Sequence, residues 1–290
     1  MRYVIAVGGN AFRNGKVLNK LSYRIAALKR RGHEIVVTHG NGPQVGNLAL
    51  HEKKNLAVLT KETQAVMGAA IKKSLIYVDR EAGLEAKVVC THVVVDKDDD
   101  EFVNPTKPIG EFCSRKEAER LARKGFVMKR LLKGYRRVVP SPMPLRIVEL
   151  NKIRELLHEG RIAIAVGGGG AAVTSSGHGF KYADAVIDKD LASSLLAVNL
   201  KADRLFILTN VDGVYLGYHT RRARLLRRID ASSLRRTAAT EHFESGSMMP
   251  KVRACIDFVS KTGKRAVIGN LLKADNVFEL KGATVIVPRT

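Results

Sequence analysis

Glycine-rich loops directly after short β-branched segments are the feature that most constrains this fold. Gly8-Gly9-Asn10 follows residues 3–7, His39-Gly40-Asn41 follows residues 34–38, and Gly167 to Gly170 follow residues 162–166. Glycine adopts positive φ at little cost, and its N–H can approach an oxyanion without a side chain intervening. One such loop is commonly a tight turn, but three at strand ends favour a phosphate or carboxylate site.

The order of predicted elements gives the fold class. Strand-like segments at residues 3–7, 34–38, 87–95, 162–166, 204–209 and 265–268 alternate with helical patterns at 18–31, 60–81, 191–199 and 251–262. Such alternation is typical of a mostly parallel sheet covered by helices. We therefore predict a doubly wound α/β fold, with ligands bound beyond the carboxyl ends of the strands.

The middle of the chain departs from this alternation. Residues 96–109 are acidic and then proline-bearing, and residues 138–144 contain Pro140, Pro142 and Pro144. We predict an insertion beside the main sheet over about residues 100–144, with the charged run 96–101 forming a solvated turn. The chain of 290 residues is expected to be one compact unit with two lobes.

Composition excludes several classes of protein. No apolar run reaches the roughly 18 residues that a membrane span needs, so we expect a soluble, cytoplasmic protein without membrane partners. Cys90, Cys113 and Cys255 lie too far apart for a zinc site or disulfide framework, and no histidine cluster predicts a metal site.

Charge is the unusual bulk property. The chain has 50 Lys and Arg against 28 Asp and Glu, a formal net charge of +22. This excess suggests nucleic acid as a partner, but the basic stretches lack interleaved aromatic residues and the chain has no Trp. Solvated helix faces explain the charge better, so we expect no specific nucleic-acid partner.

Three lysines lie in settings that suggest phosphoryl-transfer chemistry. Lys107 lies in NPTKPIG, Lys189 lies between Asp188 and Asp190, and Lys251 lies in GSMMPK. Phosphoryl transfer needs positive charge on the migrating oxygens, in-line positioning and usually Mg²⁺. No glycine loop has the Walker pattern that would supply its own lysine. The two aspartates could orient Lys189, hold Mg²⁺ or form an ordinary surface pattern.

Longer strings carry a resemblance to a known family. HGNGPQVG (39–46), NPTKPIG (104–110), YRRVVPSP (135–142), AVIDKDLAS (185–193) and GSMMPKV (246–252) together resemble the carbamate kinases of the amino acid kinase family. The match runs in the same order from Tyr3 to about Ala283. It implies an open three-layer αβα sandwich with a mostly parallel central sheet and a small protruding lid.

The resemblance also implies an activity and an organisation. It implies reversible transfer between ATP and carbamate, giving ADP and carbamoyl phosphate, with Mg²⁺ accompanying the nucleotide. Residues 1–170 would form the acid-binding, homodimer-forming lobe, with the lid at about 100–144, and residues 171–290 would form the nucleotide-binding lobe. A kinase for another small carboxylic acid, and a basic nucleic-acid-binding protein on a kinase fold, are the alternatives.

Site residues follow from the same motif match. It implies that Lys107, Lys189 and Lys251 act on the phosphoryl oxygens and that Asp190 orients the lysines. The phosphate and acid contacts would be made by Gly8, Gly9, Asn10, Gly40, Asn41, Gly168 and Gly169. The nucleotide contacts would be made by Asp188, Asn210, Asp212, Val214, Tyr215, Met248 and Pro250. Carbamate is already an anion, so His39 is expected to be structural rather than a general base.

Some positions depart from the family pattern. Met249 replaces a usual Gly beside the phosphate loop, Ala65 and Ala69 replace Gly and Tyr, and Asn210 stands where Asp is common. The stretch 129–131 reads Lys-Arg-Leu instead of Lys-Glu-Asp. None of these changes removes a residue with an assigned charge role.

Overall fold

The structure, a computed structural model, describes residues 1–80, 83–177, 179–218, 220–241, 243 and 248–289. Within those residues the strands are, in chain order, β1 Arg2–Val7, β2 Glu34–His39, β3 Ala86–Val88, β4 His92–Val94, β5 Lys107–Cys113, β6 Met128–Leu131, β7 Gly134–Val139, β8 Arg146–Ile147, β9 Ile162–Ile164, β10 Ala171–Ser176, β11 Gly179–Val186, β12 Arg204–Thr209, β13 Tyr215–Leu216, β14 Arg224–Leu225, β15 Arg228–Asp230, β16 Arg265–Asn270 and β17 Thr284–Val287.

Helices separate most of these strands. The α-helices are α1 Gly15–Arg30, α2 Gly42–His51, α3 Leu56–Val78, α4 Arg115–Arg123, α5 Leu150–His158, α6 Lys189–Asn199, α7 Ala231–Thr240, α8 Met248–Thr262 and α9 Ala274–Phe278. Short 3-10 helices span Gly9–Arg13, Asp100–Phe102, Gly167–Gly169 and Leu271–Lys273.

An eight-stranded sheet forms the centre of the molecule, in the order β15-β17-β16-β12-β1-β2-β9-β3. The six strands from β16 to β3 are parallel, while β17 pairs antiparallel to β16 and β15 runs parallel to β17. The carboxyl ends of β1, β2, β9 and β12 therefore meet at one edge. The predicted mostly parallel α/β architecture is confirmed.

Side-chain alternation in the central strands builds a core on each face of the sheet. In β1, Val4 and Ala6 contribute to the core beneath α5, α6, α7 and α8, whereas Tyr3, Ile5 and Val7 contribute to the core beneath α1 and α9. All five are buried. Successive residues of a strand point to opposite faces, so one short apolar run holds two helical layers to one sheet.

The prediction of a single strand over residues 87–95 is wrong. The segment forms two strands: β3 pairs with β9 in the large sheet, while β4 pairs with β10 and β8 in a separate four-stranded sheet. Between them the chain leaves the large sheet at Val89 and reaches Thr91, whose side chain accepts a hydrogen bond from the Val166 N–H at 3.0 Å.

A small three-stranded antiparallel sheet, β5-β7-β6, lies within the stretch predicted as an insertion, and α4 connects β5 to β6. We call residues 107–139 the insertion subdomain. The charged run before it does more than form a solvated turn, since Asp99 Oδ2 accepts from the Met143 N–H at 3.0 Å.

Two expectations from composition can be compared with the described residues. No helix among them is long and apolar enough to span a membrane. All three cysteines are free thiols; Cys255 is buried, whereas Cys90 and Cys113 are partly exposed.

Candidate active site

The loops after β1 and β2 lie against each other at the carboxyl edge of the sheet. The Gly8 N–H donates to Leu208 O at 3.2 Å, and the Gly40 N–H donates to Val7 O at 2.9 Å. A Cβ on Gly9 would lie 3.2 Å from Gly40 O. Larger residues would separate the loops, so glycine keeps their backbone groups at one place.

The loop after β9 closes the other side of this edge. Gly168 and Gly169 have φ of 63° and 93°, a region that favours glycine. A Cβ on Gly168 would lie 2.1 Å from Nδ2 of Asn41, and one on Gly169 would lie 2.4 Å from Ile187 O. The predicted acid-binding residues Gly40, Asn41, Gly168 and Gly169 therefore come from adjoining loops.

A cluster of lysines and aspartates lies at the start of α6. Asp188 is the N-cap of this helix, where its Oδ1 accepts from the Asp190 N–H at 2.8 Å. Asp190 Oδ1 accepts from the Lys189 ammonium, and its Oδ2 accepts from Nζ of Lys251 at 3.0 Å. Lys251 comes from the first turn of α8, which packs on α6. One buried carboxylate thus joins two lysines.

The insertion subdomain supplies the third lysine. Nζ of Lys107, the first residue of β5, donates to Asp188 Oδ2 at 2.7 Å. The side chain of Lys107 is 18% exposed and that of Asp188 is 12% exposed. Lys107, Lys189 and Lys251, far apart in the chain, are therefore linked through Asp188 and Asp190.

The glycine loops contact this cluster directly. A Cβ on Gly40 would lie 3.1 Å from Cδ of Lys189, so the lysine stem crosses the β2 loop. The cations and the loop amides therefore lie at the same edge of the sheet, where an anion could meet both.

Burial and charge act in opposite directions on the carboxylates. Burial favours the neutral acid at Asp188, but the charges of Lys107, Lys251 and Lys189 outweigh it and hold the pKa below the usual range. Asp190 is also buried, and Lys189 and Lys251 lower its pKa in the same way. Both carboxylates are therefore ionised at neutral pH.

The lysines respond differently to the same environment. Burial lowers the pKa of Lys189, against the pull of Asp190. At Lys251, burial also favours the neutral amine, but Asp190 and Asp188 outweigh it and raise the pKa. Asp190 is thus the group that stabilises both lysines as cations in a buried place.

His39 lies beside the cluster as a neutral, buried ring. Burial lowers its pKa to about 4, and the nearby Lys189 charge acts in the same direction. A Cβ on Gly167 would lie 2.4 Å from His39 Nε2, so the ring packs against the β9 loop. This environment fits the structural role expected for His39.

Helix α2 contacts the insertion subdomain at two of its strands, β5 and β7. Gly46 of α2 and Gly110 of β5 cross so closely that a Cβ on Gly46 would lie 1.9 Å from the Gly110 N. Gly110 has a φ of 71°. Arg137 Nη1 also donates to Ala49 O at 3.0 Å, which fixes β7 to α2.

Glu101 is a structural anchor of this subdomain that was not predicted from the sequence. Its Oε2 accepts from the N–H groups of Thr106 and Ser141, both at 3.1 Å, and its Oε1 accepts from Thr106 Oγ1 at 2.5 Å. Glu101 therefore joins the chain entering the insertion to the chain leaving it. The acidic run containing Glu101 is evident in the sequence, but nothing there identifies Ser141, 40 residues further on, as a partner.

The predicted nucleotide residues after β12 lie apart from the lysine cluster's hydrogen bonds. Asp212 accepts from Nδ2 of Asn270 and from Nζ of Lys273, both at 2.9 Å, and these partners lower its pKa. Asn210 is exposed, and the Tyr215 ring lies 5.5 Å from that of Tyr218. These residues line the continuation of β12 at the same sheet edge.

Val214 has a structural role in the described fold. Its side chain is 0% exposed, its N–H donates to Thr284 Oγ1 at 2.8 Å, and its C=O accepts from Leu226 N–H at 2.8 Å. Because its side chain is in the core and both backbone groups are bonded, Val214 supports the local fold; its place beside the nucleotide stays a prediction.

Met248 and Pro250 form the partly buried first turn of α8, directly before Lys251. Gly246 and Ser247 of the same motif lie outside the described residues.

The backbone of Asn10 belongs to the loop after β1. A group of three or more histidine, cysteine or carboxylate side chains able to hold a metal is absent from the described part of the chain.

Known proteins resemble this chain over almost its whole length. The profile of the amino acid kinase family matches residues 1–270. Carbamate kinase from Pyrococcus furiosus is 42% identical, with 99% of each chain covered, and that from Thermoplasma volcanium is 41% identical, covering 99% of this chain and 100% of the relative.

A solved structure has the same fold. Carbamate kinase from Giardia lamblia bound to AMP-PNP aligns with a TM-score of 0.86 and 34% identity over 99% of this chain and 98% of that one. The resemblance predicted from the sequence motifs is confirmed. The chain belongs to the amino acid kinase family.

Proposed function

We propose that this protein is a carbamate kinase, which reversibly transfers a phosphoryl group between ATP and carbamate to give ADP and carbamoyl phosphate. The observation that carries the proposal is the cluster in which Asp188 and Asp190 join Lys107, Lys189 and Lys251 beside the glycine loops. Relatives that cover 99% of this chain at 41–42% identity bear the name carbamate kinase.

The cluster suits direct in-line transfer. The migrating phosphoryl group carries charge on its equatorial oxygens, and fixed cations with loop amides stabilise that charge without reorganising. In this proposal Lys189 and Lys251 contact these oxygens, and Asp190 positions both ammonium groups. Lys107 reaches the transferring group from the insertion subdomain, which acts as a lid over the site.

The acid and phosphate would lie among the glycine loops. The amides of Gly8, Gly9 and Asn10 would contact the transferring phosphate, and the loops of Gly40, Asn41, Gly168 and Gly169 would surround carbamate. The support is that these loops adjoin one another and the Lys189 stem. Carbamate attacks as an anion, so no side chain need act as general base.

The nucleotide would lie along the loop after β12 and the start of α8. Asn210, Asp212 and Tyr215 lie on the first, and Met248 and Pro250 lie on the second; Asp188 would contribute through Lys107. The positive end of α8 adds to the attraction of phosphate. This division makes residues 1–170 the acid-binding lobe and 171–290 the nucleotide-binding lobe.

The described residues do not form a dedicated magnesium site. Asp188 Oδ2 and both oxygens of Asp190 are bonded to lysines, and Asp212 is bonded to Asn270 and Lys273. Mg²⁺ is commonly bound through substrate phosphates and water. We therefore treat Mg²⁺ as part of the substrate, entering as the MgATP or MgADP complex.

A homodimer is also proposed, and α3 supports it. Val66, Ile76 and Tyr77 of this helix are 72%, 43% and 57% exposed. Large apolar side chains grouped on one helix commonly mark an interface. The helix belongs to the lobe for which the family resemblance implies dimerisation.

ATP formation from carbamoyl phosphate and MgADP tests the proposed activity. We expect rapid ATP formation by the wild-type protein and a fall of about 10²-fold or more in kcat for Lys251→Met. The matched control is Lys20→Gln, since Lys20 is an exposed lysine on α1. ATP formation from acetyl phosphate but not from carbamoyl phosphate would identify a kinase for another small acid and reject carbamate.

A further inference from the structure

A cationic cavity lies at the amino ends of the central strands, at the edge of the sheet opposite the lysine cluster. Its volume is about 370 Å³, and its lining includes Arg204, Arg228, Lys264 and Arg265. Arg204 begins β12 and Arg265 begins β16, whereas the proposed catalytic loops follow the opposite ends of such strands. At about 3.3 Å per residue, β12 separates this cavity from the catalytic edge by roughly 17 Å.

Two of the arginines are direct neighbours in the sheet. Arg204 and Arg265 are paired in register on adjacent parallel strands, so their backbones lie about 4.8 Å apart. Like charges placed side by side on a sheet are unfavourable. Neither arginine, nor Arg228, nor Lys264 forms an ion pair with any described residue.

Negative charge at the cavity is scarce. Asp203 is the one carboxylate in its described lining, and Asp203 Oδ2 already accepts from the Arg2 N–H at 2.7 Å. The surroundings are also positive. Burial is the main cause of the lowered pKa of His33, and neighbouring positive charges that include Arg204 and Arg31 lower it further. Among the described lining residues, four cations around a concave surface thus face a single carboxylate.

We propose that this cavity binds a small anion with several phosphate groups. Guanidinium groups bind phosphate through paired hydrogen bonds, and an ammonium adds a further charge. The volume falls within the range of small-ligand pockets. The described lining contains no aromatic ring on which a nucleic-acid base could stack, which favours a compact phosphate over a nucleic acid.

Residue-specific acetylation of Lys264, read by mass spectrometry, tests this site separately from the catalytic one. The full chain is incubated with MgAMP-PNP, to occupy the nucleotide site, and then titrated with inorganic tripolyphosphate at physiological ionic strength. We expect protection of Lys264 at sub-millimolar tripolyphosphate, with no matching protection of Lys20. Protection of both lysines to the same degree would show general screening and overturn the proposal.

Two charge-matched variants complete the experiment. Arg228→Gln/Arg265→Gln removes two exposed cavity cations, and Lys20→Gln/Arg235→Gln removes two exposed cations elsewhere. The cavity variant should require at least about tenfold more tripolyphosphate to protect Lys264, whereas the control should resemble wild type. Equal protection in both variants would refute the site.

A thermal readout and a DNA arm add independent outcomes. Without the anion at low salt, Arg228→Gln/Arg265→Gln should have a higher Tm than wild type because charge repulsion is removed. Tripolyphosphate should raise the Tm of wild type more than it raises the Tm of this variant. Duplex DNA that protects Lys264 better than tripolyphosphate at equal phosphate concentration would overturn the assignment to a small anion. ATP formation should be unchanged in both variants.

Discussion

Lys251 Nζ lies 3.0 Å from Asp190 Oδ2, while the other oxygen of the same carboxylate binds Lys189. Asp190 therefore fixes the relative position of two cations contributed by different helices. The lysines are not freely moving surface charges, since their side chains are 11% and 14% exposed. Preorganisation of this kind is what electrostatic catalysis needs.

The first prediction concerns Asp190→Asn. The amide keeps the shape of the side chain but removes the charge that stabilises both lysines, so the pKa of Lys189 should fall further. We expect kcat for ATP formation to fall by about 10²-fold, and the alkaline limb of its pH profile to shift to lower pH. Steady-state kinetics between pH 6 and 10 measure both effects.

Asp257→Asn is the matched control for this change. Asp257 lies on α8 and forms an exposed ion pair with Lys261. Its loss should leave kcat and the pH profile as in wild type. If Asp190→Asn has wild-type kinetics as well, Asp190 does not position the lysines.

The second prediction uses two glycines of one helix. Gly46→Ala would place a Cβ 1.9 Å from the Gly110 N, whereas a Cβ on Gly42 meets nothing within 4 Å. Gly46→Ala should force α2 and β5 apart, lowering the unfolding free energy by about 1–3 kcal/mol. Lys107, which lies on β5, would be displaced with that strand, so kcat should fall as well.

Chemical denaturation and turnover of both variants give the comparison. Gly42→Ala should retain wild-type turnover, and its unfolding free energy should change little. Equal behaviour of the two alanine variants would mean that the Gly46–Gly110 contact does not position the insertion subdomain.

The third prediction concerns Glu101 as an anchor of the insertion subdomain. Glu101→Ala removes the acceptor shared by Thr106 and Ser141, so residues 107–139 should open more readily. We expect faster amide hydrogen exchange in this segment and a fall in kcat of about tenfold, since roughly 1.4 kcal/mol of positioning corresponds to that factor. Hydrogen exchange monitored by mass spectrometry locates the change.

Glu119→Ala is the control that separates the loss of the Glu101 hydrogen bonds from the loss of one negative charge. Glu119 lies on α4 in the same subdomain and pairs with the exposed Arg115. Its replacement should leave exchange at β5 and β7 unchanged. Exchange confined to the mutated position in Glu101→Ala would argue against an anchoring role.

The main sheet could be predicted because its signals are local. Residues 34–38 were predicted as a strand, and β2 spans Glu34–His39; the apolar run is continuous because both faces of a parallel sheet are covered. The approximate place of the glycine loops followed from topology, since parallel strands end at one edge.

Relationships between distant segments could not be predicted in this way. The run 87–95 looks like one strand because its apolar composition does not show that the chain changes sheets near Thr91. The Gly46–Gly110 crossing and the hydrogen bond between Glu101 and the Ser141 N–H join residues 40 or more positions apart. The burial of Val214 depends on Thr284 and Leu226, which no motif connects to it.

The last prediction is a pH dependence of stability that originates at His39. Its pKa is about 4 in the fold, against about 6.5 for an unperturbed histidine. Between pH 6.5 and about pH 4, His39 is therefore protonated in the unfolded chain but neutral in the folded chain. The stability contribution is complete above pH 6.5 and is lost as pH falls through this window, by up to about 3 kcal/mol.

Urea unfolding at pH 7 and 4.5 should show a smaller loss of stability for His39→Gln than for wild type. The exposed His158→Gln should keep the wild-type loss, and an unchanged loss in His39→Gln would exclude His39 as the source.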